Sequence, residues 1–168
     1  FIINLPRDIV SGDFYWVDEI GEQKIIAVAD CTGHGVPGAI MSMLGVAYMN
    51  EVVHRAAKVN PADILNEMRE RVIDSLHKTG QNEEAWDGMD LTFITISNDL
   101  LTYAGANNAL YIVRDCKVIE LKPNRMPIGY HMNMRDFEQL EFKLKKDDMI
   151  YLTSDGIIDQ LGGPKGKR

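Results

Sequence analysis

The sequence is poor in cysteine: Cys31 and Cys116 are the only two in 168 residues, and they form no C-x-x-C pair. A multi-disulfide scaffold and a C-x-x-C zinc site are thereby excluded; two cysteines still allow a single disulfide, but reduced thiols are expected. Positive charge is also scarce. Eighteen Lys and Arg against 25 Asp and Glu leave a net charge of −7. Such a chain lacks the electrostatic footprint that nucleic acid requires and has no basic helix for an anionic lipid surface. No apolar run approaches the ~20 residues of a membrane span, and no signal peptide is visible. The expectation is a cytoplasmic domain with no nucleic-acid or membrane contact of its own. Its parent is free to be membrane-anchored, because Phe1 replaces an initiator Met and the chain stops at Gly-Gly-Pro-Lys-Gly-Lys-Arg168. Both ends read as cut, so a piece of a longer protein is expected.

What is present is ordinary globular composition, 45% hydrophobic and 26% charged, in a length that suits a single domain over 1–168 with a real core. Strand-like runs at 12–20 and 23–30 flank Gly21-Glu22, a hairpin pattern. Lys24-Ile-Ile-Ala-Val-Ala29 is continuously apolar, as a central strand is. A helix is expected from about Pro37, with Ile40, Met43, Leu44, Ala47 and Val52 as its apolar stripe. A second starts at Pro61, capped by Asn60, and buries Ile64, Leu65, Met68, Val72 and Leu76. After a polar loop over 79–88, strands follow at 91–97, 101–106, 109–114, 118–121, 137–144 and 149–153. Asn98-Asp99 and Asn107-Asn108 supply tight turns between them. Strands, a helix pair and then many strands make an α+β pattern with antiparallel sheets.

Three aspartates share one context, an apolar strand meeting a glycine-rich turn. Asp13 follows Ser11-Gly12, Asp30 closes the 25–29 run, and Asp155 closes 150–153 and precedes Gly156. Any one of them alone is an ordinary turn residue. Three carboxylates at strand ends repel one another unless a cation neutralises them. Oxygen donors without a His or Cys pattern favour Mg²⁺ or Mn²⁺ over Zn²⁺. Asp90, in Asp87-Gly-Met-Asp90, is a candidate for a further ligand. His34 in the glycine loop and Arg7 are candidates to meet a phosphate, Arg7 bidentately.

Two rival chemistries fail on particular positions. Gly33-His-Gly-Val-Pro-Gly38 has the G-x-G-x-x-G spacing of a dinucleotide site. Asp30 would there face a pyrophosphate with like charge, the following helix leads into another helix, and no acidic residue ends a second strand ~20 residues on. Gly33 and its neighbours serve instead to let a backbone approach an ion and its phosphate closely. A cysteine phosphatase needs an arginine six residues after its cysteine, where this chain has Pro37 and Lys122.

Val10-Ser-Gly-Asp-Phe-Tyr-Trp16, Ala29-Asp-Cys-Thr-Gly-His-Gly-Val-Pro-Gly-Ala39 and Thr153-Ser-Asp-Gly-Ile-Ile-Asp159 resemble the strongest motifs of SpoIIE-type, RsbU-like serine phosphatases. These belong to the metal-dependent (PPM, or 2C-type) protein phosphatases. Leu101-Thr-Tyr-Ala-Gly-Ala-Asn-Asn-Ala-Leu-Tyr111 and Met126-Pro-Ile-Gly129 resemble the family as well. The resemblance implies a four-layer α-β-β-α sandwich, truncated here at the C-terminus and with the first strand also in question. It implies Asp13, Asp30 and Asp155 as metal ligands with Asp30 bridging two ions, a main-chain oxygen of Cys31 as another ligand, and a further family aspartate beyond Arg168. The implied chemistry is two-metal hydrolysis of phosphoserine or phosphothreonine on a protein, an anti-sigma-factor antagonist, under upstream sensor domains. A homodimer is compatible with the sequence. The rival from another class is a signalling module that keeps the fold and binds partners without turnover.

Overall fold

The first hairpin forms where the sequence places it. In the computed structural model, which describes residues 1–6, 9–78 and 87–157, β1 (Phe14–Ile20) pairs antiparallel with β2 (Gln23–Cys31). Gly21 takes the turn at φ +61°, a conformation that costs a glycine nothing. Two helices follow, α1 (Gly35–Arg55) and α2 (Pro61–Lys78), and then the strands β3 (Gly88–Ser97), β4 (Leu100–Ala106), β5 (Leu110–Arg114), β6 (Lys117–Leu121), β7 (Ile128–Gly129), β8 (Leu140–Lys143) and β9 (Met149–Leu152). One sheet runs β1-β2-β3-β4-β8 with the short β7 beside β3; the second runs β6-β5-β9. Every strand pairing is antiparallel.

Strand alternation sorts two cores. Ile25, Ala27, Ala29 and Cys31 of β2, with Leu91 and Phe93 of β3, face the helices and pack with Met49, Val53, Leu65, Met68 and Val72. Ile94, Leu101 and Tyr103 face the other way and meet Leu110 and Ile112 of β5, with Ile150 and Leu152 of β9 against them. The described residues therefore stack as helix pair, sheet, sheet, the first three layers of the expected sandwich. The polar loop expected over 79–88 lies largely outside the described residues, and its last residue, Gly88, already belongs to β3.

The helices divide sharply in how well local pattern reads them. At α2, Asn60 Oδ1 accepts from the Asp63 amide at 3.2 Å, and Ile64, Leu65, Met68 and Val72 are buried as expected, with Leu76 partly buried against the same core. The expected stripe of α1 is corrected except at Val52, which is buried as expected. Ile40 and Met43 are 61% and 73% exposed, and the buried line is Met41, Gly45, Met49, Val52 and Val53. This helix is apolar on most of its circumference, so periodicity does not select a face. Packing does: α1 lies so close to β1 that a Cβ on Gly45 would sit 2.9 Å from the Phe14 ring and 3.0 Å from the end of the Met89 side chain. The same apolarity corrects the expectation about membrane-length runs. By length and composition alone α1 could cross a membrane, but its buried line packs on the sheet.

A clasp ties the two sheets at the end away from the glycine loop. Arg114, the last residue of β5, donates from Nε and Nη2 to Asp148 Oδ1 and Oδ2 at 2.8 and 2.6 Å, and Nη2 also reaches the Lys143 carbonyl of β8 at 2.9 Å. Its guanidinium lies over the Phe142 ring, 4.8 Å from the centroid. The Asp148 side chain is 3% exposed. The Arg114 hydrogen bonds, followed by the Lys145 amide, pull its carboxyl down to about 2. A depressed carboxyl contributes stability above its unfolded value, near 4, that is lost as pH falls through the folded value. Asp148→Asn should therefore lower the melting temperature throughout neutral pH, with the gap to wild type closing between about pH 4 and pH 2. Thermal melts followed by circular dichroism across that range test this, and a gap that does not change with pH would rule it out.

Candidate metal centre

The register of two central strands does the first part of the assembly. Asp30 is the Cα partner of Asp90 across β2 and β3, and both lie on the sheet–sheet side by alternation with Ile26, Val28, Thr92 and Ile94. Asp13 immediately precedes β1, whose Phe14 pairs with Ala29, so the hairpin carries it to the flank of Asp30. Asp155 arrives from the second sheet, in a single 3-10 turn (Asp155–Ile157) just past β9. Four carboxylates far apart in sequence thus meet at one end of the sandwich. An open pocket of ≈ 370 Å³ lies there, lined by Asp30, Cys31, Gly33, His34, Asp90 and Asp155.

Asp30 feels the crowding most. Its pKa is raised to about 7, first by burial and then by the charges of Asp13 and Asp155, with both of those carboxylates in hydrogen-bonding contact with it. Asp90 is also raised, again chiefly by burial, against the opposing hydrogen bond from Asn107. Asn107 Nδ2 donates to Asp90 Oδ1 at 2.8 Å, and Ser154 Oγ donates to Asp13 Oδ2 at 2.7 Å. These two partners were not singled out from sequence. Ser154 adjoins Asp155, and Asn107 sits in a turn motif, but neither position says which carboxylate it will meet.

The glycine loop is held by backbone against backbone. A Cβ on Gly38 would lie 2.6 Å from the Gly33 carbonyl oxygen, and one on Gly12 would lie 3.0 Å from that oxygen and 3.1 Å from the Cys31 carbonyl oxygen. Gly33 itself takes φ +90°, open to glycine alone. The loop is thereby pressed onto the segment that carries Asp13. Thr32 fastens it to β3 as well, donating its amide to the Gly88 carbonyl at 2.9 Å and accepting the Gly88 amide at Oγ1 at 3.2 Å.

Of the residues expected from sequence, Asp13, Asp30, Asp90, Asp155, Cys31, Gly33 and His34 are gathered in this region. Arg7 lies outside the described residues. His34 is exposed at the N-terminus of α1, and its side chain makes no capping hydrogen bond. The Cys31 thiol is buried, and its pKa is pushed up to about 12, by burial first and then by Asp30 and Asp13. It is therefore neither a nucleophile nor a thiolate ligand.

The donor set fits a hard divalent cation. All the side-chain donors are oxygens, their mutual repulsion is what such an ion relieves, and the cost is concentrated on Asp30. No three Asp, Glu, His or Cys side chains among the described residues close on one point. That spacing matches an ion taking one or two carboxylates with water completing its shell, as Mg²⁺ does, better than a preformed all-protein cage.

The family described as Stage II sporulation protein E (SpoIIE) matches residues 21–168. Among known proteins, the chain is 29% identical to the phosphoserine phosphatase RsbU of Bacillus subtilis over 163 residues, which is 94% of this chain and 45% of that protein. Among solved structures, the SiaA-PP2C domain of Pseudomonas aeruginosa superposes with a TM-score of 0.83 at 34% identity, over 96% of this chain and 63% of that one. The PP2C phosphatase domain of SpoIIE from Bacillus subtilis superposes with a TM-score of 0.74 at 20% identity, over 92% and 44%. The last likeness concerns the fold alone. The chain spans less than half the length of RsbU.

Two outcomes are expected of substitutions here. Asp30 binds its proton more tightly folded than unfolded, so the folded state loses stability as pH rises from about 4 to about 7 and recovers none above. In chelator-treated buffer, Asp30→Asn should then melt higher than wild type at pH 8, with the advantage disappearing by pH 4. Equal melting at pH 8 would show that the crowding carries no cost. Gly38→Ala, with backbone in its way, should lose about 1–3 kcal/mol in urea unfolding; an unchanged midpoint would mean the loop gives way freely.

Proposed function

The chain belongs to the SpoIIE family, and from that premise we propose that it hydrolyses the phosphate ester of phosphoserine or phosphothreonine on a protein, with Mn²⁺ or Mg²⁺ held by its aspartates. The observation that carries this reading is the meeting of Asp13, Asp30 and Asp155 at one end of the sandwich, with the pKa of Asp30 raised to about 7 by burial and by the other two. In this proposal Asp30 is the central ligand, Asp13 and Asp155 flank it, and Cys31 contributes its main-chain carbonyl. Asp90 holds a further ion. Divalent ions in such a site supply Lewis acidity toward phosphate oxygens and a water acidic enough to react near neutral pH.

The chain's own groups do the positioning. Ser154 and Asn107 hold the Asp13 and Asp90 carboxylates in place through single hydrogen bonds. The glycine loop brings its main chain to the pocket without side chains in the way. His34 lines the same pocket and is assigned to the substrate phosphate, as is Arg7 from its spacing to Asp13. The substrate we assign is a phosphorylated anti-sigma-factor antagonist, met in the cytoplasm and under control of upstream sensor domains. The name of RsbU, a phosphoserine phosphatase, supports the residue class.

The test is phosphate release from a phosphoserine protein by the full-length polypeptide, after chelation and with Mn²⁺ restored. Activity should require the ion, and Asp30→Asn should lower kcat by about 10²-fold or more, the scale of losing one group that organises transition-state charge. Equal rates in chelator and in Mn²⁺ would sink the reading. Inactivity with every divalent ion, with partner binding surviving Asp30→Asn, would assign the chain to a non-catalytic signalling module.

A further inference from the structure

A second groove, of ≈ 390 Å³, adjoins the carboxylate pocket and shares Asp155 with it. Its walls come from the Asn107-Asn108 turn, Tyr111 of β5, Glu120 of β6, the 122–125 loop and the residues after β9. Lys122 and Arg125 stand on that loop, both exposed. Neither is in an ion pair with a described residue. In a chain of net charge −7, beside four carboxylates, two unpaired cations in one groove attract an anion.

The loop that bears them is anchored to the site. Asn124, between the two cations and only 7% exposed, donates its amide to the Gly105 carbonyl and accepts the Asn107 amide, each at 2.9 Å. Its side-chain oxygen accepts the Glu138 amide at 3.0 Å. Asn107, so held, is the residue that donates to Asp90. The cations are therefore carried on a framework continuous with the metal centre, and their distance from it is set by main-chain hydrogen bonds.

The turn that forms the near wall of the groove is fixed from inside the protein. Asn108 lines the groove, and the Asn108 Nδ2 atom is buried with no hydrogen-bond partner. Its carbonyl is engaged, accepting from Tyr103 Oη at 2.7 Å and from Thr92 Oγ1 at 3.3 Å, which fixes the turn. The Nδ2 nitrogen is sealed from solvent, so it faces the protein interior and not the open groove.

We infer that this groove binds the polypeptide flanking the phosphorylated residue and selects an acidic side chain there, with Lys122 and Arg125 as specificity-determining residues. This rests on the phosphatase reading for its substrate, but not for its measurement. A peptide seated with its phosphate at the carboxylate pocket and its neighbouring residues along the groove runs past Asp155 toward the two cations. Glu120 and Asp155 also line the groove, so it is of mixed sign, with the positive charge confined to the 122–125 loop. That arrangement orients a peptide as well as attracting it.

The experiment uses the full-length protein with Mn²⁺ and three labelled phosphoserine peptides, flanked by Asp, Ala or Lys. Fluorescence anisotropy reads binding without turnover, and phosphate release reads kcat and KM. Wild type should bind the Asp-flanked peptide about fivefold to tenfold more tightly than the Ala-flanked one, the scale of two partly screened charge pairs. In the double charge reversal Lys122→Glu with Arg125→Glu, the preference should invert toward the Lys-flanked peptide, an outcome that damage to the fold does not produce. No preference in wild type, or the same preference in the double variant, would overturn the inference. Charge-selective binding with no phosphate release from any peptide would sink the phosphatase reading and leave the groove assigned.

Discussion

Everything at the functional end of this molecule depends on carboxylates being forced together against their own repulsion. Asp30 and Asp90 are cross-strand partners on adjacent central strands, and like charges so placed are destabilising. The hairpin adds Asp13 and the second sheet adds Asp155. The fold holds this arrangement because the strands that deliver the charges are anchored elsewhere, in two apolar cores on either face of the same sheet. The raised pKa of Asp30 is where the residual strain resides, and it is the property that suits the cluster to a hard cation.

Two devices keep the cluster in shape. One is steric: Gly12, Gly33 and Gly38 let three stretches of main chain touch, so the loop between β2 and α1 has little room to move. The other is polar: Ser154 and Asn107 each take one carboxylate oxygen and leave the rest of each group available. Asn107 also links the carboxylate cluster to the 122–125 loop through Asn124. The two pockets thereby share one hydrogen-bonded framework, and under the proposed function a substrate segment lying on that loop is registered against the carboxylates.

Much of the architecture was legible because its causes are local. The Gly21-Glu22 turn, the Asn60 cap, the amphipathic face of α2 and the left-handed Asn98 and Asn107 each follow from a few neighbouring residues. The face of α1 was not legible, since a helix apolar almost all round leaves the choice to Phe14 and the close approach at Gly45. The two-residue β7 was not either, for Ile128-Gly129 is too short to carry a pattern and exists only because Gly88 and Met89 offer it edge hydrogen bonds.

By itself the sequence determined the residue types and their local settings: aspartates at strand ends, glycines where main chains must touch, oxygen donors without a thiolate pattern, and motifs that resemble one family. Those depend on chemistry within a few bonds of each residue. Only the tertiary structure decided that Asp90 faces Asp30, that Ser154 serves Asp13, that the Cys31 thiol is inert, and that Lys122 and Arg125 share a groove with Asp155. Each of these is a relation between segments separated by dozens of residues. Strand register and the packing of two sheets set such distances, and no local pattern encodes them. The carboxylate cluster that spacing alone suggested is thus a product of register.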